Sequence, residues 1–187
     1  GCGTGFFARR IAKIVAPTGK VYCQDIQPEM LDLMKQRAEA EGVTGIVPVL
    51  GSTDDPKLPK GGIDWLLLVD AYHEFDNGPE MLRQLRVTLG PRGKVALVEA
   101  RAEDNSASYV SPTHRMSVHQ VLAEWKPAGY RLLDLSESLP SQHLFIFEPD
   151  DRPAGAPVAA DLTLAEAVRV GAAEAQPTKG LISNESP

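Results

Sequence analysis

Gly1-Cys2-Gly3-Thr4-Gly5-Phe6-Phe7 is the stretch on which the fold turns. Glycines at alternate positions let the backbone pass close to a ligand and adopt conformations closed to other residues. Directly after them Phe7, Ile11, Ile14 and Val15 recur on one helical face, so the glycines stand at a helix N-terminus. The free N–H groups and dipole there favour an anionic group. Pro17 to Gly19 stop this helix, and residues 21–26 read as a buried strand. A second helix starts at Pro28, carries Leu31, Met34 and Ala38 on one side and ends at Gly42.

The alternation continues outward. Residues 45–50 form a strand, 51–62 a turn-rich connection, and 63–70 a further strand. The apolar run Trp65-Leu66-Leu67-Leu68-Val69 suits burial on both faces, near the centre of a sheet. Leu82, Leu85 and Leu89 define a helix over 79–89, Gly90-Pro91-Arg92-Gly93 a turn, and 94–99 a strand. After a loop over 100–116, Ser117 and Gln120 form a capping pattern for a helix with Val118, Val121, Leu122 and Trp125 on one face. Residues 130–136 and 142–147 are two strands joined by a hairpin-length connection. Alternating helices and strands predict an α/β fold, a doubly wound and mainly parallel sheet ending in an antiparallel hairpin. Residues 1–148 are read as the core. Residues 149–187, rich in Ala and Pro, are read as a disordered tail with one short helix over 163–175, capped by Thr163 and Glu166.

Composition narrows the function. The 187 residues are 43% hydrophobic and 24% charged, ordinary for one globular domain. A net charge of −6 argues against nucleic acid, which is held mainly by clustered Lys and Arg. No apolar run approaches the roughly 20 residues of a membrane span. Cys2 and Cys23 are read as small buried residues, with neither a disulfide framework nor a metal cluster, and no metal is expected. The glycine loop has no strand before it, so a first strand, and any N-terminal signal, are expected to precede Gly1. A cytoplasmic location is the default.

The glycine spacing is discriminating. A pyrophosphate-binding fingerprint places glycines first, third and sixth, whereas here they stand first, third and fifth, with Phe6 sixth. Asp25 closes the next strand about 20 residues later, where one βα unit returns to the same sheet edge. A carboxylate there can accept from both hydroxyls of a ribose, and Ile26 offers an apolar surface to a base.

Residues 1–7, 21–31, 63–74 and 89–99 resemble successive motifs of small class I S-adenosylmethionine-dependent methyltransferases. G-C-G-T-G-F-F with D-I-Q-P-E-M-L is similar to the branch that includes quinone-biosynthesis methylases. The resemblance covers about residues 1 to 148. It implies a Rossmann-like fold, S-adenosylmethionine as cofactor and a small-molecule acceptor. Gly1, Gly3, Gly5, Asp25, Ile26, Ser52, Thr53 and Asp70 become cofactor contacts. It also implies that the missing first strand belongs between those at Val21 and Ile63, and that the chain without it is unstable or aggregates.

Asp70-Ala71-Tyr72-His73-Glu74 follows the most buried strand, at the carboxyl edge where open α/β sheets bind ligands. Methyl transfer from a sulfonium is an in-line displacement, so the protein mainly aligns the acceptor and removes a proton where needed. His73 and Tyr72 are the candidates for that role. Glu99 and His114 face the same rim, His114-Arg115 being read as a solvated loop pair, and His119 and His143 as structural. Two other readings compete: a cofactor-binding or interaction module without turnover, and a nicotinamide oxidoreductase, which the glycine spacing and the terminal hairpin oppose.

Overall fold

The structure, a computed structural model, describes residues 1–151. The helix expected over 163–175 lies outside them. In chain order the elements are α1 (Phe6–Val15), β1 (Val21–Asp25), α2 (Pro28–Ala40), β2 (Ile46–Leu50), β3 (Ile63–Val69), α3 (Gly78–Thr88), β4 (Leu89–Ala100), α4 (Val118–Trp125), β5 (Tyr130–Ser136) and β6 (Gln142–Pro149). Single 3-10 turns lie at Tyr72–Glu74 and Pro112–His114.

The architecture is α/β, with the strands in two sheets. β1 and β2 form a parallel pair, and β3-β4-β6-β5 form a four-stranded sheet in that order. The sheet expected to be mainly parallel is mixed: β3–β4 is parallel, while β6 pairs antiparallel with both β4 and β5. The connection between β5 and β6 is too short for a crossover, so the hairpin reverses the chain and places β6 beside β4.

α3 and α4 cover one face of the larger sheet. Met81, Leu82 and Leu85 from α3 and Val118, Val121, Leu122 and Trp125 from α4 pack on Leu66, Leu68, Val95, Leu97, Phe145 and Phe147. Trp125 is its centre, stacked on Phe147 at 4.6 Å between ring centroids and edge-on to Tyr72 at 5.3 Å. Ser117 caps α4 as expected, its side chain accepting from the Gln120 N–H. Asn77 caps α3 in the same way through the Glu80 N–H.

Three sequence expectations need correction. β3 is an edge strand among the described residues, and it buries Ile63, Leu66 and Leu68, leaving Trp65 and Leu67 56% and 42% exposed. Successive strand residues point to opposite faces, and α3 and α4 cover one of them. Helix α1 buries Ala8, Arg9 and Ala12, leaving Phe7 and Ile14 exposed. Its small residues let the axis approach the β1–β2 pair, and the Arg9 side chain is satisfied by the Gly5 carbonyl and Glu41. The stretch 90–93 is no free turn: β4 already pairs at Leu89 with Ile63, and the residues between Leu89 and Lys94 bulge from the ladder.

A fourth correction concerns the cysteines. The Cys2 N–H donates to the Gln24 carbonyl at 2.7 Å, laying the glycine loop along β1. That brings Cys2 within 5.5 Å of Cys23, Cα to Cα, and the two form a disulfide.

Candidate functional site

Parallel pairing brings the carboxyl ends of the strands to a common edge. Asp25 pairs with Leu50 at the ends of β1 and β2, and Val69 with Val98 at the ends of β3 and β4. The glycine loop crosses this edge: a side chain on Gly1 would meet the Ala71 Cβ at 3.3 Å. The loop and the segment after β3, 70 residues apart in the chain, are therefore neighbours.

Asp25 fixes the loop. Its carboxylate accepts the Gly3 N–H at 2.8 Å through Oδ2 and the Gln27 N–H at 3.0 Å through Oδ1. Each oxygen retains a further lone pair. Gly5 has φ 75°, and a Cβ there would lie 2.3 Å from the Met34 Cγ, so helix α2 excludes any side chain at this position. At Gly3, φ 52°, nothing stands within 4 Å of where a Cβ would lie, so the loop is open on that side. Ile26 is half exposed beside Asp25. The Gly51 N–H donates to the Asp25 carbonyl, which places the loop after β2 at the same edge. Ser52 is engaged within that loop, its Oγ accepting from the Asp55 N–H at 3.2 Å, and Thr53 is exposed. Asp70 takes a left-handed conformation, φ 46°, and its carboxylate accepts from Gln142 at 2.7 Å.

Tyr72 and His73, adjacent in sequence, part company. The Tyr72 ring enters the core beside Trp125 and Phe75, and its hydroxyl donates to Glu124 at 2.7 Å. Burial and the Glu124 carboxylate push its phenol far above the usual range. His73 remains at the rim. Glu99, fully buried at the end of β4, grips the turn with both oxygens: Oε1 accepts the Tyr72 N–H at 2.9 Å and Oε2 pairs with His73 Nδ1 at 2.6 Å. With Nδ1 occupied, Nε2 is the nitrogen left to act outward. Burial pushes the Glu99 carboxyl above the usual carboxylate range, against the opposing pull of its bonds to His73 and Tyr72.

His114 is exposed, as expected, but does not pair with Arg115. Its ring lies 5.0 Å from that of His73, whereas Arg115 turns back to the Val110 and Ser108 carbonyls. The loop that carries both is anchored at its ends. Met116 bridges to Arg101, and the Arg101 guanidinium donates to the Glu137 and Leu139 carbonyls. His143 stands between two carboxylates, Nδ1 2.6 Å from Glu137 and Nε2 2.8 Å from Glu103, while Glu103 also accepts the Val118 N–H. Sequence reasoning missed this network and the grip of Glu99 on His73. Its members stand at 99–103 and 137–143, and only the pairing of β4 with β6 brings them together.

A methyltransferase-domain family model matches residues 1–93. The chain is 31% identical over 99 residues to a ubiquinone/menaquinone biosynthesis C-methyltransferase of Ectopseudomonas mendocina, covering 52% of this chain and 38% of that protein. It is 29% identical over 105 residues to a 2-phytyl-1,4-naphtoquinone methyltransferase of Trichormus variabilis, covering 56% and 46%. The matched segment thus spans less than half the length of either relative. Among solved structures, a SAM-dependent methyltransferase from Aquifex aeolicus shares the fold, with TM-score 0.73 and 22% identity over 79% of this chain and 78% of that one. With the glycine loop, the acidic end of β1 and the terminal hairpin, these likenesses give residues 1–93 the character of a methyltransferase domain and show that the chain shares the fold of a SAM-dependent methyltransferase.

Proposed function

We propose that the protein transfers a methyl group from S-adenosylmethionine to a small organic acceptor. The observation that carries this reading is the Asp25 carboxylate, which locks the glycine loop through Gly3 at the carboxyl end of β1, beside Ile26 and the loop after β2. The residues fit the cofactor. Asp25 would accept from its ribose hydroxyls, Ile26 would lie against its adenine, and Gly1, Gly3 and Gly5 would admit its amino-acid end. Ser52, Thr53 and Asp70 complete the lining. The bound cofactor supplies an electrophilic methyl on a sulfonium. The chain's own part is to orient the acceptor and, where the acceptor carries a proton, to take it on His73 Nε2. The Glu99 carboxylate supports the imidazolium so formed. Tyr72 shapes the core behind His73.

The finer fold reading belongs here too. A strand lying between β1 and β3 would join the two sheets into one doubly wound sheet. What supports it is that β1 and β3 each pair with one neighbour among the described residues and that Trp65 and Leu67 stand exposed. Supplying a strand at that position is expected to raise the melting temperature.

Calorimetric titration of S-adenosylmethionine and S-adenosylhomocysteine tests the main proposal. Micromolar binding is expected, abolished in Asp25→Ala and weakened at least tenfold in Ile26→Glu, whose side chain touches no part of the loop's hydrogen bonding. A folded protein that binds neither compound points instead to a module without turnover. Acceptor screening would start from quinone-type rings, the substrates in the names of the relatives.

A further inference from the structure

We propose that His73, Glu74 and His114 form a binding site for a divalent transition-metal ion, with Glu99 holding His73 in its ligating orientation. One ligand atom from each of the three side chains lies within 4.8 Å of the other two, and His73 Nε2 stands 4.0 Å from Glu74 Oε1. Donors at bond lengths of about 2.0–2.1 Å around a tetrahedral ion stand about 3.4 Å apart, so closure by at most about 1.5 Å completes the set. The Glu74 side chain is 66% exposed and His114 sits on an exposed turn, so both can make that movement. His73 cannot move far: its side chain is 7% exposed and is tied to a carboxylate that is itself fully buried.

That tie is an independent observation pointing to a metal. Ligating histidines characteristically donate their second ring N–H to a carboxylate, which fixes the tautomer, aims the lone pair and raises ligand basicity. Glu99 does this to Nδ1 and leaves Nε2 on the side of Glu74, with the His114 ring 5.0 Å from that of His73. Two imidazoles and one carboxylate select zinc, cobalt, nickel or iron over calcium and magnesium, which prefer oxygen ligands alone. Three protein ligands also leave coordination positions open. The loop bearing His114 is anchored by Arg101, Glu103, Glu137 and His143, so the third donor is held near the other two. No sequence motif announces the set, because residue 114 reaches residues 73 and 74 only through the fold.

The site lies at the edge where Ala71 faces the glycine loop, so an oxygen, nitrogen or sulfur lone pair of an acceptor would fill an open position on the ion. In the metal-free protein His73 Nε2 would take the acceptor's proton directly; a bound ion would instead lower the pKa of a coordinated acceptor, whose proton would then pass to solvent water. The inference goes beyond the methyl-transfer reading and is tested without the cofactor.

The chelator-treated chain is titrated with Co²⁺, followed by its visible absorption, and with Zn²⁺ by calorimetry. One equivalent should bind with micromolar or tighter affinity. His114→Ala and Glu74→Gln, both at exposed side chains, should each weaken binding at least tenfold with the circular dichroism unchanged. Glu99→Gln should weaken it by about 10- to 100-fold. His119→Ala, on the exposed side of α4, should leave it unaltered. A folded protein that takes up neither ion, or binding that survives the combined His114→Ala and Glu74→Gln substitution, overturns the proposal. Cofactor binding by the same samples reports separately on the methyl-transfer reading.

Discussion

Raising the pH should weaken this fold through one residue, His143. Its two ring nitrogens face Glu137 at 2.6 Å and Glu103 at 2.8 Å. A neutral imidazole donates only one N–H, so a neutral ring would set a lone pair against one of the carboxylates. Burial pulls the pKa down, but the hydrogen bonds and charges of Glu103 and Glu137 outweigh it and bring the value up to about 8 from 6.5. Arg101 stands 2.6 Å from Glu137 and 4.0 Å from Asp104, so a neutral His143 would leave the local carboxylates further in excess of their cationic partners. A rise of about 1.5, at about 1.4 kcal/mol per tenfold in proton affinity, is worth about 2 kcal/mol. Because the folded-state pKa is raised, this stability is fully present below pH 6.5 and is lost as pH climbs through 8. Urea denaturation at pH 6, 7, 8 and 9 should show the unfolding free energy falling by about 2 kcal/mol across the range. His143→Gln should be less stable than wild type by about 3 kcal/mol at pH 6, because the buried Glu137 and the partly exposed Glu103 lose their shared cationic partner, and should lack this fall. A wild-type curve flat from pH 6 to 9, or a variant that falls in parallel, would refute the reasoning.

Three further outcomes are expected. Gly5→Ala, which forces a Cβ to within 2.3 Å of Met34 at a φ of 75°, should cost about 1–3 kcal/mol in chemical denaturation and disturb cofactor binding. Trp125→Ala removes the fully buried centre of the aromatic core and should cost about 3–5 kcal/mol, read from the same experiment. Replacing Cys2 and Cys23 together by Ser should lower stability by about 3 kcal/mol, the closure entropy of a loop of this length, and mass spectrometry of the alkylated wild type should show no free thiol.

Much of the fold was legible because its signals are local. The faces Leu31, Met34, Ala38 and Val118, Val121, Leu122, Trp125 follow from helical spacing, and all are buried. The Ser117 cap and the terminal hairpin also need only neighbouring residues. Asp25 was found by its distance from the glycines, since a βα unit of fixed size returns the chain to the same edge. Local periodicity cannot say what covers a strand or a helix. The run 65–69 is apolar throughout, yet among the described residues only the side beneath α3 and α4 is closed, and the apolar stripe of α1 gave way to Ala8 and Ala12, which permit close approach to β1, with Arg9 held by the Gly5 carbonyl and Glu41. The order β3-β4-β6-β5 was likewise a tertiary matter, decided by which strand the hairpin laid against β4. So too were the pairing of Cys2 with Cys23, the parting of Tyr72 from His73 and the meeting of His73 with His114. Sequence determined which residues could serve the edge of the sheet. Tertiary structure decided which of them meet, because contacts between residues far apart in the chain are set by the packing of whole elements and not by the spacing within any one of them.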